Sequence, residues 1–212
     1  LETGEIDYSK AVSFTSIADF EAAGTLNVEV RTGNSITFIF LNTKQAPYDD
    51  PVVRRAINLA IDRDMCNTVQ YEGYGKVATS MLSPTTFGHN ESLKGFGYDP
   101  EEAAALLAQA GYPDGAGFPP VTIETVDSFG RIAEVGQANL TELGIGAEID
   151  LQEQNAYVDR ALQGSVNFGI LGIGMGGDAS SWGVMFQSGG PFNLAQYENP
   201  ELDALFDEAA VL

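Results

Sequence analysis

The residues best placed to do chemistry lie in one short segment. Gly172-Ile-Gly174-Met-Gly176-Gly177 follows an apolar, β-type run and fits G-x-G-x-x-G. A loop of that kind can cradle a pyrophosphate on the N-terminus of the helix behind it. Here Asp178 stands where its charge would repel phosphates, and Ala179-Ser-Ser-Trp-Gly183 carries no strong helix pattern. Two other uses of the segment remain. It can be a flexible turn that lets chain segments pass closely. Or it can face a ligand, with Gly174, Met175, Gly176 and Gly177 bringing backbone groups close to a solute. Asp178 then offers a carboxylate to a cationic or hydroxylated group, and Trp182 and Met175 supply apolar surface. A second candidate loop spans 127–130, with Phe129 and Arg131 at its mouth. Arg131 can meet an anionic group as a bidentate donor; as a surface arginine it would pair with Glu134.

Catalytic patterns are scarce. The chain has no G-x-S-x-G, no H-E-x-x-H, no P-loop and no cysteine–histidine pair near a candidate site. Asp62, Asp64, Glu101 and Glu102 are acidic neighbours that helix surfaces and caps explain. His89 has no second histidine or cysteine nearby, so a metal site is not expected. Cys66 is the single cysteine and is expected to be a small, buried side chain. No enzyme activity, cofactor or metal is expected.

The elements that must position these residues show in the patterning. Residues 36–41 form a continuous apolar run, expected as a strand covered on both faces. A helix over 50–70 follows, capped by Asp50 with Pro51 in its first position. Val53, Ala56, Ile57, Ala60, Ile61 and Met65 make its apolar stripe, and Cys66 lies late in it. Residues 73–97 are a long loop rich in Gly, Ser, Thr and Pro. Asp99-Pro100 starts a second helix, with Leu106, Leu107 and Ala110 facing inward. Then come strand 121–126, helix 128–143, strand 145–151, helix 155–163 and strand 168–173. That order implies parallel strands with right-handed crossovers. Ligands sit beyond the carboxyl ends of such strands, which singles out 127–130, 152–154 and 174–182. Asn199-Pro200 starts a last helix carrying Leu202, Leu205, Phe206 and Ala209. Residues 1–7 suggest a helix end and a short strand, and 26–31 another strand.

The 212 residues are 44% hydrophobic, enough for a sizeable core, and carry 30 acidic against 10 basic side chains. A net charge of −20 argues against nucleic acid and anionic membrane surfaces. The acidic residues are scattered, as on a solvated surface. No apolar run is long enough to span a bilayer, and the opening Leu-Glu-Thr-Gly-Glu-Ile-Asp is not a signal peptide. Both ends are expected to be cuts inside a longer protein.

Six stretches in sequence order carry a family resemblance. The main one is 38–63, with Leu41-Asn42, the Pro47 turn, Val53-Arg-Arg-Ala56 and Ala60-Ile-Asp-Arg63. The others are Gly4-Glu-Ile-Asp7, the passage from Tyr71-Glu-Gly-Tyr-Gly75 to Pro84, Tyr98-Asp-Pro-Glu-Glu-Ala103 with Leu107-Ala-Gln-Ala-Gly-Tyr112, Leu143-Gly-Ile145, and Asn199-Pro-Glu-Leu-Asp203. Together they resemble the extracellular solute-binding proteins of family 5, which serve peptide and nickel ABC importers. The resemblance implies an α/β, periplasmic-binding-protein-like lobe (type II, cluster C) with a mainly parallel sheet flanked by helices. Residues 1–36 would be a lead-in from the N-terminal lobe and hinge, and 37–212 the C-terminal lobe of a two-lobe protein. With half of the cleft missing, affinity in this chain alone is expected to be poor or nil.

The implied function is the capture of a small solute between the lobes and its delivery to a membrane permease. The protein would be a periplasmic protein or a cell-surface lipoprotein, and a monomer. In peptide-binding relatives the corresponding loop reads glycine, tryptophan, a small pair, aspartate and tyrosine, and its aspartate pairs with the ligand's α-ammonium. Gly174, Met175, Gly176, Gly177, Asp178 and Ala179 fall on those positions, so the acid is kept and both aromatics are lost. The implied solute is a peptide, an amino-acid derivative, a sugar or a metal chelate. A nucleotide-binding, Rossmann-type oxidoreductase fragment, resting on 172–177, is the alternative.

Overall fold

The computed structural model describes residues 4–10 and 12–210. A 3-10 turn leads into helix α1 (Ile17–Ala23), followed by strand β1 (Ser35–Leu41) and helices α2 (Pro51–Ala60), α3 (Arg63–Tyr71) and α4 (Pro100–Gln109). Strand β2 (Val121–Val126), helix α5 (Gly130–Glu142), strand β3 (Ala147–Gln152), helix α6 (Gln154–Leu162) and strand β4 (Phe168–Gly174) alternate as expected. Helices α7 (Gly183–Phe186) and α8 (Pro200–Ala209) complete the chain.

The strands form one sheet in the order β1-β4-β2-β3. Strand β2 runs parallel to β3 and β4, so the crossover pattern produces the parallel arrangement that the sequence implied. Strand β1 pairs antiparallel with β4, and the sheet is therefore mixed. The antiparallel edge brings the N-terminus of β1 to the carboxyl end of β4, with Ser35 opposite Gly174.

Helices cover both faces. On one, Val53, Ala56 and Ile57 of α2, Leu107 of α4 and Leu140 of α5 pack on Val121, Ile123 and Ile170. On the other, Tyr157 and Ala161 of α6 pack on Phe40 and Val126. A smaller cluster of Ile36, Trp182 and Met185 extends that second face toward the glycine loop. Gly169 marks the tightest point: a Cβ there would run into the Phe40 ring and lie 2.6 Å from the Tyr157 hydroxyl. That hydroxyl donates to the Ile170 carbonyl at 2.9 Å, which fixes the helix against the strand.

Several expectations need correction. The helix expected over 50–70 is two helices. Ile61 is extended, and the Asp62 side chain accepts from the Met65 amide, starting α3. The turn rotates α3, so Met65 is 48% exposed and not inward-facing. Cys66 lies on α3, half-buried, and burial pushes its thiol up to about 11. Residues 26–31 form no strand, having no partner in the sheet, and neither do 4–7; residues 1–3 lie outside the described residues. Helix α8 forms, capped by Asn199, but none of its residues is buried, and Leu205 is 62% exposed.

The 73–97 loop has no helix or strand of its own. It is tied down by Ser83 Oγ donating to the Gly33 carbonyl at 2.6 Å and His89 Nδ1 donating to that of Leu82 at 2.7 Å. Among the described residues one charged side chain is buried. Glu124 on β2 is 7% exposed and pairs with Arg160 of α6, while Gln152 Nε2 donates to the same carboxylate at 2.8 Å. A buried carboxylate is tolerable because it is partnered on two sides.

Two outcomes are expected. Gly169→Ala should destabilise the fold by about 1–3 kcal/mol through overpacking, measured by urea unfolding; an unchanged midpoint would show that the Phe40–Tyr157 contact yields freely. Raising NaCl from 0.05 to 1 M (roughly a fourfold drop in screening length) should raise that midpoint, because the compact state carries the self-repulsion of a −20 charge. A falling midpoint would mean that the ion pairs outweigh this repulsion.

Candidate functional site

The carboxyl end of the parallel strands gathers three segments. Residues 33–34 arrive before β1, 174–178 leave β4, and 83–89 of the long loop lie beside them. Asn34 Nδ2 donates to the Met175 carbonyl. The Phe87 amide donates to the Gly177 carbonyl at 2.7 Å, and the Ala179 amide donates to the Phe87 carbonyl at 3.0 Å. These bonds make an isolated parallel bridge between Phe87 and Asp178. The glycine loop is therefore held at both its start and its end.

Asp178 is exposed and caps a 3-10 turn over Ala179–Trp182. Its Oδ1 accepts from the Ser180 hydroxyl at 2.6 Å and the Ser180 amide at 2.8 Å. The Ser180 hydroxyl, followed by its amide, holds the Asp178 carboxyl below the usual carboxylate range. At neutral pH the loop therefore presents a fixed negative charge, suited to a cation or a hydroxyl donor and unsuited to a phosphate. The four-residue α7 follows the 3-10 turn, so no long helix points its N-terminus at the glycines. A dinucleotide loop needs that helix, and the nucleotide alternative loses its support here.

The other expected residues do not all gather at the glycine loop. Gly174, Gly176 and Gly177 are exposed, and Met175 is half-buried against the Ile36–Trp182–Met185 cluster. Trp182, expected to offer apolar surface to a solute, is 1% exposed and forms part of that cluster. It walls an apolar groove of about 280 Å³ shared with Met81, Leu82, Phe186, Leu205 and Phe206. Its Nε1 is buried without a hydrogen-bond acceptor.

Phe129 packs between the two larger clusters, touching both. Its ring lies over Gly172, where a Cβ would be 2.7 Å from Cζ, so Gly172 is a packing glycine. Arg131 is exposed and turned toward α3. It donates to the Val69 carbonyl at 2.9 Å and lies 3.8 Å from Glu72. The partner expected from the sequence was Glu134 on its own helix; α5 instead begins against the end of α3, where a free carbonyl and Glu72 are within reach. The geometry thus groups 174–178 with Trp182 behind them and sets Phe129 and Arg131 apart.

Asn34 and Phe87 were missed by reading the sequence. Their partners lie far along the chain, and nothing in their local pattern marks a pairing. Pro84-Thr-Thr-Phe-Gly88 reads only as a turn.

Residues 1–193 match the family model described as bacterial extracellular solute-binding proteins, family 5 Middle. Heme-binding protein A of Haemophilus influenzae is 31% identical, across 99% of this chain and 40% of its own length. The dipeptide-binding protein of Escherichia coli is 30% identical, across 78% of this chain and 32% of its own. The ABC transporter-associated periplasmic binding protein DppA of Helicobacter pylori, solved in complex with the peptide STSA, superposes with a TM-score of 0.88. It is 29% identical and covers 100% of this chain and 42% of that one. This chain thus spans 32% to 40% of the length of the two curated relatives.

Ser180→Ala should raise the Asp178 pKa toward the ordinary carboxylate value, read by NMR titration of the side-chain carboxyl. An unmoved titration would mean that the hydroxyl does not hold the charge. The sign carries over to stability. A carboxyl with a lowered folded-state pKa contributes stability above its unfolded pKa, and that contribution is lost as pH falls through the folded value.

Proposed function

The chain belongs to the bacterial extracellular solute-binding proteins of family 5, and from that premise we propose that it is the C-terminal lobe of a receptor for an ABC importer. Residues 1–36 are its lead-in from the other lobe and hinge, and 37–212 the lobe itself. The receptor traps a small solute between two lobes and hands it to a membrane permease. Closure works because a solute that bridges both lobes favours the closed state by its differential affinity. The protein acts as a monomer outside the cytoplasm, free or lipid-anchored, and catalyses no reaction.

One observation carries the site: an exposed carboxylate, Asp178, oriented by two hydrogen bonds from Ser180 on a glycine loop at the carboxyl end of β4. Glycines 174, 176 and 177 leave backbone groups open to a solute, and the charge selects one that brings an ammonium or a hydroxyl. A peptide or amino-acid derivative fits this best. Sugars and metal chelates are the other classes within the family reading. Relatives named for dipeptide, glutathione and heme binding support a family whose solutes vary over one scaffold. Trp182 acts from behind as the wall that backs the loop. Phe129 and Arg131 lie toward α3 and would meet a different part of the solute, with Arg131 facing an anionic end.

In the full-length protein, Asp178→Ala should weaken binding of an amine-bearing peptide by more than tenfold, or about 1.4 kcal/mol. Isothermal titration calorimetry with di- and tripeptides is the measurement. Unchanged affinity would remove the carboxylate from the site.

A further inference from the structure

We propose that Phe87 is a specificity-determining residue of the solute site, an aromatic wall beside Asp178 for solutes that carry an ammonium group on apolar carbon. The proposal rests on 174–178 being the solute loop.

Phe87 is 79% exposed, the most exposed large apolar side chain among the described residues. A single exposed phenylalanine is ordinary on a protein surface. Its anchoring sets this one apart. Its amide and carbonyl are both used, to Gly177 and Ala179, which flank Asp178 on either side. Positions paired across a ladder project toward the same face. The ring and the carboxylate are thus neighbours on a fixed backbone.

The turn that presents the ring is itself tied down. The Thr86 amide donates to the Ser83 carbonyl at 2.9 Å, and the His89 amide donates to that of Thr86 at 3.0 Å. Gly88 has φ +92, in the left-handed region, and a Cβ there would lie 2.9 Å from the Ala179 Cβ. The 86–89 turn and the start of the 3-10 turn are thus in close approach, and only a glycine fits between them. Residues 174–179 carry no aromatic side chain of their own. The ring beside the acid comes from a segment roughly ninety positions earlier in the chain.

The pair has a defined chemistry. A carboxylate attracts a cation through its charge, and an aromatic face attracts it through its quadrupole. The ring also offers apolar area to the carbon that bears the ammonium. A neutral or anionic solute gains only the apolar contact.

The test uses the full-length protein and two probes, trialanine and N-acetyl-trialanine, titrated by calorimetry. Trialanine should bind better than its acetylated form. Phe87→Ala should weaken trialanine by about tenfold at an unchanged melting temperature, and Phe87→Trp should retain affinity. As trialanine saturates, Phe87→Trp should show an emission change that the wild type lacks, from the added indole. If Phe87→Ala binds like the wild type, or the new indole is silent while Asp178→Asn abolishes binding, the role of Phe87 is overturned and the loop assignment stands. If Phe87→Ala weakens binding and Asp178→Asn does not, the carboxylate role falls. If the wild type binds neither probe, both fall.

Discussion

Seven consecutive residue pairs, Ser35 with Gly174 through Leu41 with Phe168, hold β1 antiparallel to β4. Because the direction is reversed, the chain enters β1 at the end where it leaves β4. Asn34 therefore meets Met175, and Ser83 can bond Gly33 while its own loop reaches Gly177. The register also sorts side chains. Phe38 and Phe40 go to the α6 face, and Ile39 and Leu41 to the α2–α4–α5 face. A slip by one residue would exchange these sets and carry the lead-in away from the glycine loop. The candidate site is thus a by-product of one ladder whose other duty is to close the core.

The parts of this fold that could be read from the sequence are those with local causes. Asp50-Pro51, Asp99-Pro100 and Asn199-Pro200 each start a helix with a side chain accepting from the next turn's amides. The strand–helix–strand alternation over 121–174 reads as parallel because short connections leave few other ways to cross. Misreadings arise where a distant partner decides. The apolar stripe runs unbroken through Ile61, so a stop there was hidden, although Asp62 carries the same capping signal as the helix starts that were recognised. Residues 26–31 have strand-like composition but nothing to pair with. The antiparallel sense of β1 depends on a strand about 130 residues away.

The candidate site was legible to a similar degree. The acid on the glycine loop is visible because glycines and a carboxylate declare themselves by type. Whether Trp182 faces solvent or core is set by Ile36 and Met185, remote in sequence from each other. Two carboxylates show how context decides. Glu124, inside strand β2, is buried against Arg160 and serves packing. Asp178, in a loop, is exposed and caps a 3-10 turn, which leaves its second oxygen for the proposed solute. Their side chains differ by one methylene, and only the neighbours assign them opposite work.

Helix α8 closes the described chain with no buried residue, and Leu202, Leu205, Phe206 and Ala209 on its apolar side line the groove around Trp182. Its polar grip on the preceding segment is made at exposed positions: Gln187 Nε2 donates to Asp207 at 3.0 Å and the Ser188 amide to Asp203 at 2.8 Å. Stability is therefore unevenly spread through the molecule. The α2–α4–α5 layer rests on buried side chains, whereas α8, with none, is the element placed to open in a sub-global step that uncovers the apolar groove around Trp182. In amide hydrogen exchange α8 should therefore lose protection before the α2–α4–α5 layer.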